Sequence, residues 1–74
     1  MKELQDKPVL VLGLGGRGRA ACDLLLRAGA RVTALDPNDT GALRAETRPL
    51  AERGARILLG ADTVPDGPFK LVVV

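Results

Sequence analysis

The sequence has no histidine, tryptophan or tyrosine, and only one phenylalanine, one cysteine and one methionine. Each scarcity closes a route. Without histidine, the usual general base and the commonest zinc ligand are both missing. The single Cys22 offers neither an internal disulfide nor a metal cluster, and its place four residues after Gly18 suits a small buried packing residue rather than a reactive thiol. With Phe69 as the sole aromatic, base stacking is a poor route to nucleic acid. The net charge of +2 comes from dispersed arginines, which suits an anionic small molecule and does not call for nucleic acid. No apolar run approaches the roughly 20 residues that span a bilayer. The polar stretch Met1–Lys7 lacks the apolar centre of a signal peptide, so no membrane partner is expected and cytoplasmic residence is.

What remains is globular: 46% hydrophobic and 27% charged residues in a chain of 74, near the lower limit for a self-sufficient core. Residues 1–74 therefore read as a single domain. Its centre is Val9-Leu10-Val11-Leu12-Gly13-Leu14-Gly15-Gly16-Arg17-Gly18. Val9 to Leu12 is a short continuous apolar run, as in a parallel strand covered on both faces. Gly13, Gly15 and Gly18 follow with the G-x-G-x-x-G spacing. The first glycine suits a tight turn, the second a close backbone approach to phosphate, and the third close packing of helix on strand. The helix N-terminus that the motif opens offers unpaired N–H groups to a diphosphate. The alternative is a turn whose glycines are purely conformational.

After the loop, Arg17–Arg27 has helical spacing, with Ala21, Leu24, Leu25 and Ala28 on one face, Leu26 outside that stripe, and Gly29 as the stop. Arg31–Asp36 has strand composition and runs into the turn cluster Pro37-Asn38-Asp39, completing a βαβ unit whose crossover should be right-handed. Thr40–Thr47 reads as a loose turn and Arg48–Arg53 as a short helix, with Pro49 in its first turn and Gly54 at its end. Arg56–Leu59 is a third strand, Ala61–Pro68 a polar loop, and Phe69–Val74 a fourth strand. The fold class expected is α/β: a Rossmann-like parallel sheet ordered 3-2-1-4 with flanking helices. The apolar strand at Val72–Val74 lacks its usual cover, so the chain is expected to be part of a longer protein.

Asp36 stands eighteen positions after Gly18, at the carboxyl end of the second strand, where an acid in nucleotide-binding domains accepts hydrogen bonds from a ribose. Its bland alternative is the opener of an Asp-Pro turn. Arg17 can add a guanidinium to a phosphate, or stand solvated against the helix dipole; Arg19 reads as surface. No nucleophile–base pair, paired carboxylates or metal cluster is visible, nor a G-x-x-x-x-G-K-[ST] loop for ATP. On this reading the chain alone binds without catalysing.

Lys7–Gly18 resembles the opening of the Mur ligases, most closely the branch that adds D-glutamate to UDP-N-acetylmuramoyl-L-alanine in peptidoglycan synthesis. Arg27–Asp36 is similar to that family's second strand with its acid, and Gly54-Ala55-Arg56 and the strand ending at Val74 match in spacing. The resemblance implies an N-terminal domain that grips the uridine diphosphate end of a UDP-linked muramoyl precursor. It implies further that central and C-terminal domains of the same chain supply ATP, Mg and the ligation, so this chain itself holds no cofactor. By motif position, Leu14, Gly15, Gly16, Arg17 and Gly18 would hold the diphosphate, and Asp36, Pro37 and Asn38 would meet the uracil side. Two residues depart from the family: Arg17 stands where a hydroxyl is frequent, and Asn38 where some members carry a basic residue. Two other functions fit the same layout: an NAD(P)-binding domain of a dehydrogenase such as a sirohaem-synthesis enzyme, and a non-catalytic regulatory interaction module.

Overall fold

The computed structural model describes residues 2–74; Met1, the start of the polar lead-in, lies outside the described residues. A short 3-10 turn at Lys2–Leu4 leads into β1 (Pro8–Leu12), which is followed by α1 (Gly16–Arg27), β2 (Arg31–Asp36), α2 (Gly41–Glu52), β3 (Arg56–Leu59) and β4 (Leu71–Val73). The four strands form one sheet in the order β3-β2-β1-β4, and every pairing is parallel. Order and direction are those the sequence predicts. Register runs from Pro8↔Arg31 to Leu12↔Leu35 between β1 and β2, and from Val9↔Leu71 to Val11↔Val73 between β1 and β4. The carboxyl ends of β1, β2 and β4 thus lie at one end of the sheet.

Alternation divides the strands between two faces. Val9, Val11, Val32 and Ala34 share one core with Cys22 and Leu25 of α1 and Leu50 of α2, with Ile57, Leu59 and Val73 packed against it. Leu10 and Leu35 alternate to the other face and are buried as well. Cys22 is a buried packing residue, as its spacing suggests, and burial pushes its thiol pKa up.

Three local expectations are corrected. The buried stripe of α1 contains Cys22 and Leu25, with Leu26 packed against the core, whereas Leu24 is 62% exposed. The helix is rotated relative to the expected stripe because Gly18, which admits close approach, sets the face that meets β1. Thr40–Thr47 is not a loose turn, and α2 is twelve residues long with Pro49 inside it. Thr40 caps it, its Oγ1 accepting the N–H of Leu43 at 3.1 Å. Leu43, Thr47 and Leu50 then face inward at i, i+4 and i+7, and that packing outweighs the proline. Finally, β4 starts at Leu71 rather than Phe69. Since β1 begins at Pro8, whose carbonyl receives the Lys70 N–H at 2.7 Å, Phe69 has no ladder to join. No helix among the described residues is long and apolar enough to cross a membrane.

Pro49 is solvent-exposed, and its missing N–H leaves the carbonyl of Ala45 without an intrahelical donor. Pro49→Ala should stabilise the domain by about 1–2 kcal/mol, the restored helical bond and relieved ring clash exceeding the extra freedom of the unfolded chain. Urea denaturation followed by circular dichroism measures this, and a lower midpoint for the variant would contradict it.

Candidate functional site

The glycine loop leaves β1 at Gly13, whose φ of +96° is a conformation other residues rarely adopt. Its N–H donates to the Leu35 carbonyl at 2.8 Å, carrying the β1–β2 pairing one residue into the loop. Leu14 follows, its side chain fully buried and its N–H donating to Oδ2 of Asp36 at 2.8 Å. Gly15 occupies the N-cap of α1 in extended backbone, with no side-chain cap. Arg19 makes the first N–H closure of the helix, onto the Gly15 carbonyl at 2.9 Å. The N–H groups of Gly16, Arg17 and Gly18, in the opening turn, are thus left without intrahelical acceptors, and they carry the positive end of the helix dipole.

The glycines of this loop differ in what holds them. A Cβ at Gly18 would lie 1.8 Å from the Gly13 carbonyl oxygen and 2.8 Å from its carbon, so the fold itself excludes any side chain there. At Gly15 and Gly16 a Cβ would meet nothing within 4 Å, and neither has a positive φ. The fold leaves room for side chains at these two positions.

Two concavities flank the loop. One is a crevice of about 480 Å³ between the carboxyl ends of β1 and β4, lined by Leu12, Gly13, Gly15–Gly18, Val73 and Val74 among others. It lies at the point where strand order reverses, the usual ligand position in open α/β sheets. The other, about 280 Å³, lies on the β2 side and contains Leu14, Gly15, Arg19, Asp36, Asn38, Thr40 and Glu46. Of the residues the sequence singles out, Gly15, Gly16, Arg17 and Gly18 line the crevice. Leu14, Asp36 and Asn38 line the second hollow, which meets the first at Gly15, and Pro37 lines neither. A larger hollow, about 640 Å³, lies at the opposite end of the strands beside Pro8, Arg31 and Arg56, away from the glycine loop.

Asp36 is 7% exposed, and both its carboxylate oxygens are engaged. Oδ2 accepts the Leu14 N–H, and Oδ1 accepts the Asn38 N–H at 2.8 Å, forming an Asx-type turn. These two donors hold the carboxyl below its ordinary pKa, more than offsetting its burial. Both readings of Asp36 made from sequence therefore have geometry to work with: it opens the turn, and it stands beside the loop. Arg17 is exposed and forms no ion pair among the described residues. Arg19 is not the free surface residue expected: its Nη1 donates to the Leu14 carbonyl at 3.0 Å and lies 2.7 Å from Oε2 of Glu46. Sequence reading gives Arg19 no partner because it places Glu46 in a loose turn instead of on α2.

No family model matches the chain. A UDP-N-acetylmuramoylalanine–D-glutamate ligase of Gloeobacter violaceus is 42% identical over 67 residues, 89% of this chain and 15% of that protein. The same-named ligase of Geobacter metallireducens is 42% identical over 72 residues, 97% of this chain and 16% of its own length. That of Thermobifida fusca is 38% identical over 71 residues, 96% of this chain and 15% of its length. The chain thus spans about 15% of the curated relatives it matches. Among solved structures, the Cu(II) complex of the HOCl-induced flavoprotein disulfide reductase RclA from Escherichia coli superposes with a TM-score of 0.70 at 18% identity. The match covers 100% of this chain and 22% of that one, a likeness of Rossmann-type fold.

Because the folded pKa of Asp36 lies below its unfolded value, its contribution to stability is complete above the unfolded value of about 4 and is lost as pH falls through the folded one. Asp36→Asn keeps one carbonyl acceptor but sets an NH2 against a backbone N–H donor, and should cost about 2–4 kcal/mol at neutral pH. The wild-type advantage over the variant should shrink as pH falls below about 4. Chemical denaturation of both proteins between neutral pH and acid measures it; a pH-independent difference would remove the carboxylate charge from the account.

Proposed function

Because the chain matches the D-glutamate-adding muramoyl ligases along most of its length, and so belongs with the N-terminal regions of the Mur ligases, we propose that it is the UDP-binding N-terminal domain of such an enzyme. The observation that carries this is the uncapped first turn of α1, opening on the switch-point crevice beside two glycines that the fold does not require. The diphosphate of a UDP-linked muramoyl precursor binds the N–H groups of Gly15, Gly16, Arg17 and Gly18, the missing side chain of Gly15 giving the close approach. Arg17 adds a mobile guanidinium where the family frequently uses a hydroxyl. Leu14 contributes as an anchor, since its N–H is already held by Asp36. The turn Asp36-Pro37-Asn38 meets the uracil side from the adjoining hollow.

On this reading ATP is not bound by this loop, which lacks the Lys-Ser/Thr pair of an ATP loop. In this proposal the ligation falls to the central and C-terminal domains of the full-length cytoplasmic enzyme, and the 74-residue chain alone forms no ADP in the presence of D-glutamate.

Gly15→Val should leave the domain folded, because a Cβ there meets nothing within 4 Å, and should abolish UDP binding. Two lost charge-assisted hydrogen bonds correspond to roughly 3–6 kcal/mol. A folded variant that titrates with UDP like the wild type would remove the loop from the site.

Nucleotide preference tests the base side. Uracil offers an N3–H donor to a carboxylate where cytosine offers a lone pair. UDP should therefore bind more tightly than CDP by about 1–3 kcal/mol in chemical-shift titrations of the wild-type domain. Wild type is the informative protein, because removing the Asp36 carboxylate also releases Leu14. Equal affinity for UDP and CDP, or a preference for NAD, would overturn the uridine assignment.

A further inference from the structure

The side chain of Arg19 joins three elements through one nitrogen. Nη1 donates to the Leu14 carbonyl at 3.0 Å in the glycine loop and lies 2.7 Å from Oε2 of Glu46 on α2, while its own backbone lies in the first turns of α1. A cation in that part of a helix opposes the dipole, so helix stability does not explain it. Nor does the ion pair account for it as a stabilising device: the two side chains are 31% and 52% exposed, and pairs so open to water contribute little.

The Leu14 contact has a consequence fixed by covalent geometry. The peptide between Leu14 and Gly15 is planar and trans, so its carbonyl and its N–H point in opposite directions. Whatever holds the Leu14 carbonyl also aims the Gly15 N–H. On its other side Leu14 is held by Asp36 through the preceding peptide N–H, so both peptide units flanking Leu14 are tethered by side chains. Glu46 gives the same nitrogen a second contact that biases the guanidinium toward the loop while adding little to global stability.

We propose that Arg19 is a positioning residue for the anion-binding loop: by fixing the Leu14 carbonyl against α1 and α2, it orients and stills the Gly15 N–H. This rests on the reading of the loop as a diphosphate site, but the orientation of Gly15 can be observed without any ligand. In the 15N-labelled 74-residue chain, the Gly15 amide should have an order parameter typical of rigid backbone, about 0.85, falling below about 0.6 in Arg19→Gln. UDP affinity should fall about tenfold. Arg53→Gln is the control: it breaks the Arg53–Asp23 bridge of 2.6 Å between the C-terminal cap of α2 and α1, and should alter neither readout. If Arg19→Gln does not fold, Glu46→Gln leaves the guanidinium present but untethered and should shift both readouts in the same direction. A Gly15 amide as rigid in the folded variant as in wild type overturns the proposal, as does an equal response to Arg53→Gln. If wild type does not bind UDP at all, the diphosphate reading fails, and the Gly15 order parameter still decides the role of Arg19.

Discussion

The carboxylate of Asp36 is the contact on which the end of the sheet depends. It ends β2, yet its two oxygens govern chain segments on either side of it in space: Leu14 in the loop after β1, and Asn38 in the turn towards α2. A buried carboxylate is tolerable only if its charge is met by donors, and here two backbone N–H groups meet it. Satisfying that charge fixes the loop. The Leu14 side chain sinks into the core beneath it, and Gly13 pairs with Leu35, so the loop is a continuation of the sheet and not a flexible connection.

Packing, not ion pairing, holds the helices in place. Leu25 and Cys22 of α1 and Leu50 of α2 meet Val9, Val11, Val32 and Ala34 in one cluster. The bridges Arg44–Asp39 and Arg53–Asp23 have good geometry but lie largely in solvent, where such pairs add little. Both helices serve one face because two successive crossovers move the chain in the same direction across the sheet, from β1 to β2 to β3. The reversal to β4 then opens the crevice beside the first turn of α1.

The architecture was legible wherever the signal was local. Val9–Leu12 as a strand, the glycine spacing, Gly29 as a stop and Arg31–Asp36 as the second strand each follow from composition over a few residues, and together they dictate a 3-2-1-4 parallel sheet. Legibility failed where tertiary packing overrode a local rule. Pro49 argues for a helix start, but inward-facing Leu43, Thr47 and Leu50 and the Thr40 cap carry α2 through it. The same failure hid Arg19, whose partner Glu46 has no defined position until that helix exists. The place of Asp36 at the end of the second strand was legible, but not its role as the clamp on Leu14, a contact twenty-two residues apart that only the assembled sheet creates.

The contact between Gly18 and the Gly13 carbonyl has an evolutionary corollary. A glycine motif is commonly treated as a unit, yet here its members answer to different constraints. Gly13 and Gly18 are demanded by the backbone, while Gly15 and Gly16 stand in open space. If the loop binds an anion as proposed, a descendant that lost that role would keep the outer glycines indefinitely and let the inner two drift. The fingerprint would erode from its middle outward, and the identities of positions 15 and 16, rather than the motif as a whole, would record whether the site is still under selection.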